Sequence, residues 1–119
     1  PEHGIRDSVA SRGLGDVYKR QVHSEDDEMV HYNYDRLKDA DEWDWWNMHR
    51  VHTNQSEDVS FRRVSRLAEL KGCPIYFVHV SAKEGVEEVV RSRAAGLPIY
   101  GETLHNYACF TYEDYRTMD

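Results

Sequence analysis

Cysteine is scarce in this chain of 119 residues: there are two, Cys73 and Cys109, with no Cys-x-x-Cys spacing. That excludes a disulfide framework and a zinc knuckle, and it fits small buried thiols in a reducing compartment. Positive charge is in deficit, with 15 Lys and Arg against 22 Asp and Glu and a formal net charge of -7. Such a field repels phosphate backbones and anionic membrane surfaces, so neither nucleic acid nor a membrane is an expected partner. Long apolar runs are missing, and stretches such as Ile75 to Val78 fall far short of the roughly 20 residues a membrane helix needs. No charged start leads into an apolar stretch and a small-residue cleavage site, so the cytoplasm is the expected location. Internal repeats and low-complexity tracts are also absent.

What remains is 39% hydrophobic and 31% charged, wet for a compact domain yet too rich in Trp, Tyr, Val and Leu for a disordered one. A chain of this size makes one domain, burying roughly two thirds of its unfolded surface. Residues 1 to 21 stand apart. They carry Gly4, Gly13 and Gly15, scattered charge and no lasting period, and they predict an unstructured tail. Asp16 to Gln21 back-translates as GAT-GTG-TAT-AAG-AGA-CAG, the end of a transposase adaptor used in sequencing, so this tail is expected to be non-native. Gly13-Leu14-Gly15 is accordingly no phosphate loop, since no strand precedes it and a third glycine is missing.

Order begins at Val22. Asp26 and Asp27 predict the cap of a helix to about Lys38, with Met29, Val30, Tyr34 and Leu37 on its apolar face. Asp39 to Gln55 has no clear period and reads as a long excursion with at most a turn of helix. Ser56, Asp58 and Val59 open a second helix whose face is Phe61, Val64, Leu67 and Ala68, stopped by Gly72. Ile75 to Val80 is a continuous apolar run, the pattern of a parallel strand buried on both faces. A third helix after Ser81 places Val86, Val89, Val90 and Ala94 on one side and closes at Gly96. Leu97 to Gly101 starts another strand. The order strand, helix, loop, helix, strand, helix, strand is that of an α/β protein with a parallel sheet.

In such folds reactive groups gather at the carboxyl ends of the strands, and His23 and His79 fall there. His79 alternates with Ile75 and Phe77, and an imidazole buried on that face needs a partner. A metal ion is one such partner; a neighbouring carbonyl or carboxylate is another.

The wording around these histidines is more specific. Val22-His23-Ser24-Glu25-Asp26, then Arg66-Leu67-Ala68-Glu69-Leu70 and Phe77-Val78-His79-Val80-Ser81, then Tyr100-Gly101-Glu102-Thr103 followed by Tyr107, together resemble the dihydropyrimidinase and D-hydantoinase branch of the amidohydrolase superfamily. The likeness runs from Val22 nearly to Asp119. It implies that residues 22 to 119 are a partial barrel domain, about strands 5 to 7 of a (β/α)8 TIM barrel with their helices. It further implies a homotetrameric hydrolase that opens a small cyclic amide, a dihydropyrimidine or hydantoin ring, by a hydroxide activated between two divalent metal ions, zinc above all. His23 and His79 then match the strand-end histidines that hold one metal. The family's His-x-His pair, carboxylated lysine and proton-shuttling aspartate have no counterpart here, so no catalytic residue is expected within this span and the span alone is expected to be inactive. Three barrel strands also leave two open edges and an unfilled face, which predicts poor solubility for residues 22 to 119 alone. The same open edges argue against a free-standing three-stranded α/β binding domain.

Glu25, Glu102 and His105 are candidates for a supporting place beside the metal ligands. For Glu25 and Asp26 a helix cap is the competing role, for Glu102 a structural place at the strand end, and for His105 simple solvation. Trp43, Trp45 and Trp46 suit packing against a helix or subunit better than stacking on a ring substrate. His49 and His52 read as solvated. His52 to Glu57 departs from the family, where an Arg-Pro turn and a run of glutamates are usual, and this leaves open an allantoinase or dihydroorotase type, or a non-catalytic dihydropyrimidinase-related scaffold.

Overall fold

The computed structural model describes residues 20–117. Three short parallel strands, β1 (Arg20–Val22), β2 (Ile75–Phe77) and β3 (Ile99–Gly101), pair in the order β1-β2-β3. Val22 lies opposite Phe77 and Phe77 opposite Gly101, so the three carboxyl ends are level. The first crossover carries helix α1 (Asp27–Asp39), a 3-10 turn (Trp45–Arg50) and helix α2 (Asn54–Lys71); the second carries helix α3 (Lys83–Ala94). Two further 3-10 turns, His105–Ala108 and Tyr112–Thr117, end the described chain. Arg20 and Gln21, read from the sequence as the end of an unstructured tail, instead pair with Ile75 and Tyr76 in the sheet. The rest of the span read as a tail, residues 1 to 19, lies outside the described residues.

Local chemistry accounts for the helix ends. The Asp26 carboxylate accepts the Met29 N–H at 3.0 Å and caps α1. At α2 the cap is Thr53 rather than Ser56: Thr53 accepts from the Ser56 N–H at 3.2 Å, while Ser56 lies buried inside the first turn. Gly72 takes φ 59°, the left-handed stop that its lack of a Cβ permits.

The main core joins Phe61 and Ala68 of α2 to Ile75, Phe77, Val80 and Ile99, with Val22, Val64 and Val89 at its margin. Phe61 and Phe77 stack at 3.9 Å between ring centroids. A second, smaller cluster unites Val30 and Leu37 of α1 with Val51. Several expected placements change. Leu67 is exposed, because the buried line of α2 runs through Glu57, Phe61, Ser65 and Ala68. Helix α3 turns Gly85, Glu88 and Ser92 inward and leaves Val86 and Val90 exposed, because small side chains let α3 lie close against its neighbours. Strand β2 ends at Phe77, and its Tyr76 is only half-buried, so one sheet face rather than both is covered. Cys109 is exposed, whereas Cys73 is half-buried beside the core.

Candidate metal-binding site at the strand ends

The level strand ends bring distant residues together. His23 directly follows β1, and His79 stands two residues beyond β2. Its backbone has φ 42°, so its side chain leaves the alternation with Ile75 and Phe77 that the sequence suggested. This rotation brings the two rings together at a tilt of 54°: His23 Nδ1 and His79 Nε2 are 2.8 Å apart, with ring centroids 4.7 Å apart.

Glu25 stands behind the pair. Its carboxylate lies 3.3 Å from His23 Nε2 and 3.1 Å from His52 Nδ1, and the Ser56 hydroxyl donates to it at 3.5 Å. With the Nε2 proton of His23 directed at Glu25, the His23 Nδ1 lone pair faces His79. His52 is held in turn by the Tyr34 hydroxyl, which donates to its Nε2 at 3.3 Å. Helix capping thus falls to Asp26, and Glu25 is left to orient imidazoles.

Glu102 follows β3 at the same end. Its backbone N–H donates to the Phe77 carbonyl at 2.9 Å and its carbonyl accepts from Val80 N–H at 2.7 Å, while its carboxylate receives the Tyr76 hydroxyl at 2.6 Å. It therefore fastens the strand ends and makes no bond to either histidine. His105 is exposed and likewise makes no bond to His23 or His79. The Tyr107 phenol is pushed up by burial and by the negative charges of Glu57 and Glu25, which places it in the field of this cluster. Trp43 packs on Tyr34 at 5.1 Å and Trp45 is exposed; His49 stacks on Tyr112 at 4.1 Å.

Two residues escaped the sequence reading. His52 reaches Glu25 across 27 positions, a link no local pattern announces. Glu57 resembles any acid in a first helical turn, and only the structure shows its carboxylate buried against Ser81 and Ala82.

No family model matches the chain. It is 53% identical over 51 residues to the D-hydantoinase of Streptomyces coelicolor, covering 43% of this chain and 11% of that protein. The D-hydantoinase of Geobacillus stearothermophilus aligns over 102 residues at 29% identity, covering 86% of this chain and 21% of its own length. A solved D-hydantoinase superposes on 83% of the chain with a TM-score of 0.79 at 29% identity. The chain is similar to D-hydantoinases. It spans about a tenth to a fifth of the length of the curated hydantoinases it matches. An allantoinase of Escherichia coli (strain K12 / DH10B) is also similar, 42% identical over 52 residues, covering 44% of this chain and 12% of that protein. The dihydropyrimidinase of Brevibacillus agri shares the fold at a TM-score of 0.80 over 83% of this chain and 22% of its own. The small parallel α/β unit of this chain fits a piece of their larger fold. No helix among the described residues is long and apolar enough to cross a membrane.

Proposed function

We propose that this segment is part of a metal-dependent hydrolase that opens a cyclic amide, a dihydropyrimidine or hydantoin ring, with His23 and His79 as two ligands of one metal ion. The observation that carries the reading is the approach of His23 Nδ1 to His79 Nε2 at adjacent parallel strand ends, with Glu25 behind His23. The D-hydantoinase likeness supports reading β1 to β3 as about the fifth to seventh strands of a (β/α)8 barrel.

The donor set suits a metal in part. Two nitrogens held at about 2.0–2.1 Å on a tetrahedral ion stand roughly 3.3 Å apart. The 2.8 Å between His23 and His79 is a few tenths short of that, a gap that a small opening of the rings supplies. Among the described residues no group of three or more His, Cys, Asp or Glu side chains forms a metal site. The two histidines therefore provide part of one site, and further ligands for two ions must come from elsewhere in a complete protein. A divalent ion held there supplies activation of water and polarisation of the ring carbonyl, the two things that hydrolysis of a resonance-stabilised amide needs at neutral pH. The chain's own contribution is orientation. Glu25 fixes the His23 tautomer, His52 and Ser56 hold Glu25, and Glu102 ties β3 to the loop that carries His79. The likeness to an allantoinase supports allantoin as an alternative ring within the same class.

The test is to recover the complete reading frame around residues 22 to 119 and to assay ring opening of 5-substituted hydantoins, dihydrouracil and allantoin with added zinc or manganese. Turnover of one ring class is expected, with His23→Ala and His79→Ala each lowering kcat/KM by at least about 100-fold, since loss even of a residue that only supports a ligand costs about 10–100-fold. A folded protein that opens none of these rings is a scaffold rather than a hydrolase. Unchanged turnover in His79→Ala removes that residue from the site.

A further inference from the structure

We infer that Glu57 is a positioning residue for His79, acting through the amino end of α3. The inference rests on the metal-ligand reading of His79. Glu57 is a carboxylate with 6% exposure on α2, and its hydrogen bonds go to the loop after β2 rather than to its own helix. It accepts the Ser81 N–H at 3.2 Å, the Ser81 hydroxyl at 2.6 Å and the Ala82 N–H at 2.9 Å. Ala82 is the cap position of α3 and has no side chain to satisfy that helix end, so Glu57 caps α3 from the neighbouring helix. Its charge also meets the positive end of the α3 dipole.

The consequence for His79 follows from its neighbours. Val78 donates its N–H to the Val22 carbonyl at 3.2 Å, Val80 donates to the Glu102 carbonyl at 2.7 Å, and Ser81 and Ala82 are held by Glu57. His79 sits between these ties in the left-handed region, φ 42°, a conformation that a non-glycine residue keeps only where its surroundings impose it. Releasing the Ser81–Ala82 end frees the peptide to relax, and the imidazole then swings away from His23. Space for the carboxylate comes from Gly85: a Cβ there would lie 2.5 Å from Glu57 Oε1, so even an alanine drives the carboxylate off its donors.

In the complete protein, Glu57→Gln is expected to weaken metal binding at least tenfold, because the amide offers one acceptor oxygen and turns an N–H toward the donors of Ser81 and Ala82. Ser81→Ala, which loses only the hydroxyl bond at an exposed position, is expected to fold normally and to weaken metal binding a few-fold. The readouts are metal content after dialysis and competition against a chelator. Leu37→Ala is the control: it lies in the separate α1 cluster, lowers Tm and leaves metal content unchanged. Should His79→Ala retain its metal, the ligand reading itself fails. Should His79→Ala lose metal while both Glu57→Gln and Ser81→Ala hold it as tightly as the parent, Glu57 is structural only and the positioning role is overturned.

Discussion

The two faces of the sheet are built differently. On one, Ile75, Phe77 and Ile99 lie buried beneath α2 and α3, and Phe77 is fully enclosed against Phe61. On the other, Tyr76 and Tyr100 are only half-buried, and Tyr76 spends its hydroxyl on Glu102. The covered face is what a βαβ unit completes from its own crossover helices. The second face is left partly open by the described residues. The described core is therefore one-sided, and His23 and His79 stand at the strand ends where it stops.

The sharpest test of that difference is at Phe77. Phe77→Ala is expected to cost about 3–5 kcal/mol, the transfer loss plus a cavity between α2 and the sheet. Urea denaturation of the complete protein measures it. A loss below about 1 kcal/mol would mean that the covered face is no better packed than the open one.

A smaller effect is expected on the flank of α3, where Glu88 is buried while Val86 and Val90 are exposed. Burial pushes the Glu88 carboxyl up, but the charge-assisted bonds from Arg91, with Ser92 at 3.2 Å, outweigh it and hold it below the usual carboxylate range. A carboxyl depressed in the folded state stabilises the fold above its unfolded pKa, and that contribution disappears as pH falls through the depressed value. Glu88→Gln is thus expected to lower Tm at neutral pH and to leave it less sensitive to acid below the ordinary glutamate range. Parallel Tm–pH curves for variant and parent would remove Glu88 from the acid response.

These inversions mark what the sequence made legible. Helix α1 and its Asp26 cap, the Gly72 stop, the parallel order and the strand-end place of His23 all follow from short-range patterns, and all stand as read. The face of α3 did not, because apolarity predicts burial only where a partner lies opposite. Here the neighbours of α3 select Gly85 and Ser92 for their size and Glu88 for its bonded partners. His52 and Glu57 were illegible for another reason: each works through residues more than twenty positions away, Glu25 and Ser81, where no periodic signal extends. His79 was read at the right place but on the wrong backbone, since a positive φ at a histidine has no signature in sequence.

The smallest expected effect belongs to the open face. Tyr76 donates to Glu102 at 2.6 Å, and this hydrogen bond, then burial and the Glu102 charge, push the phenol above its ordinary value. A phenol raised in the folded state adds stability below its unfolded pKa and loses it as pH climbs through the folded value. Tyr76→Phe keeps the ring and removes that bond, so a Tm shift well below that of Phe77→Ala is expected near neutral pH, vanishing toward strongly alkaline pH. Tyrosinate absorbance on alkaline titration should lose a late-ionising component in the variant. If instead Tyr76→Phe destabilises as much as Phe77→Ala, the open face is a packed interior whose stability depends on this bond, and the contrast between the two faces fails.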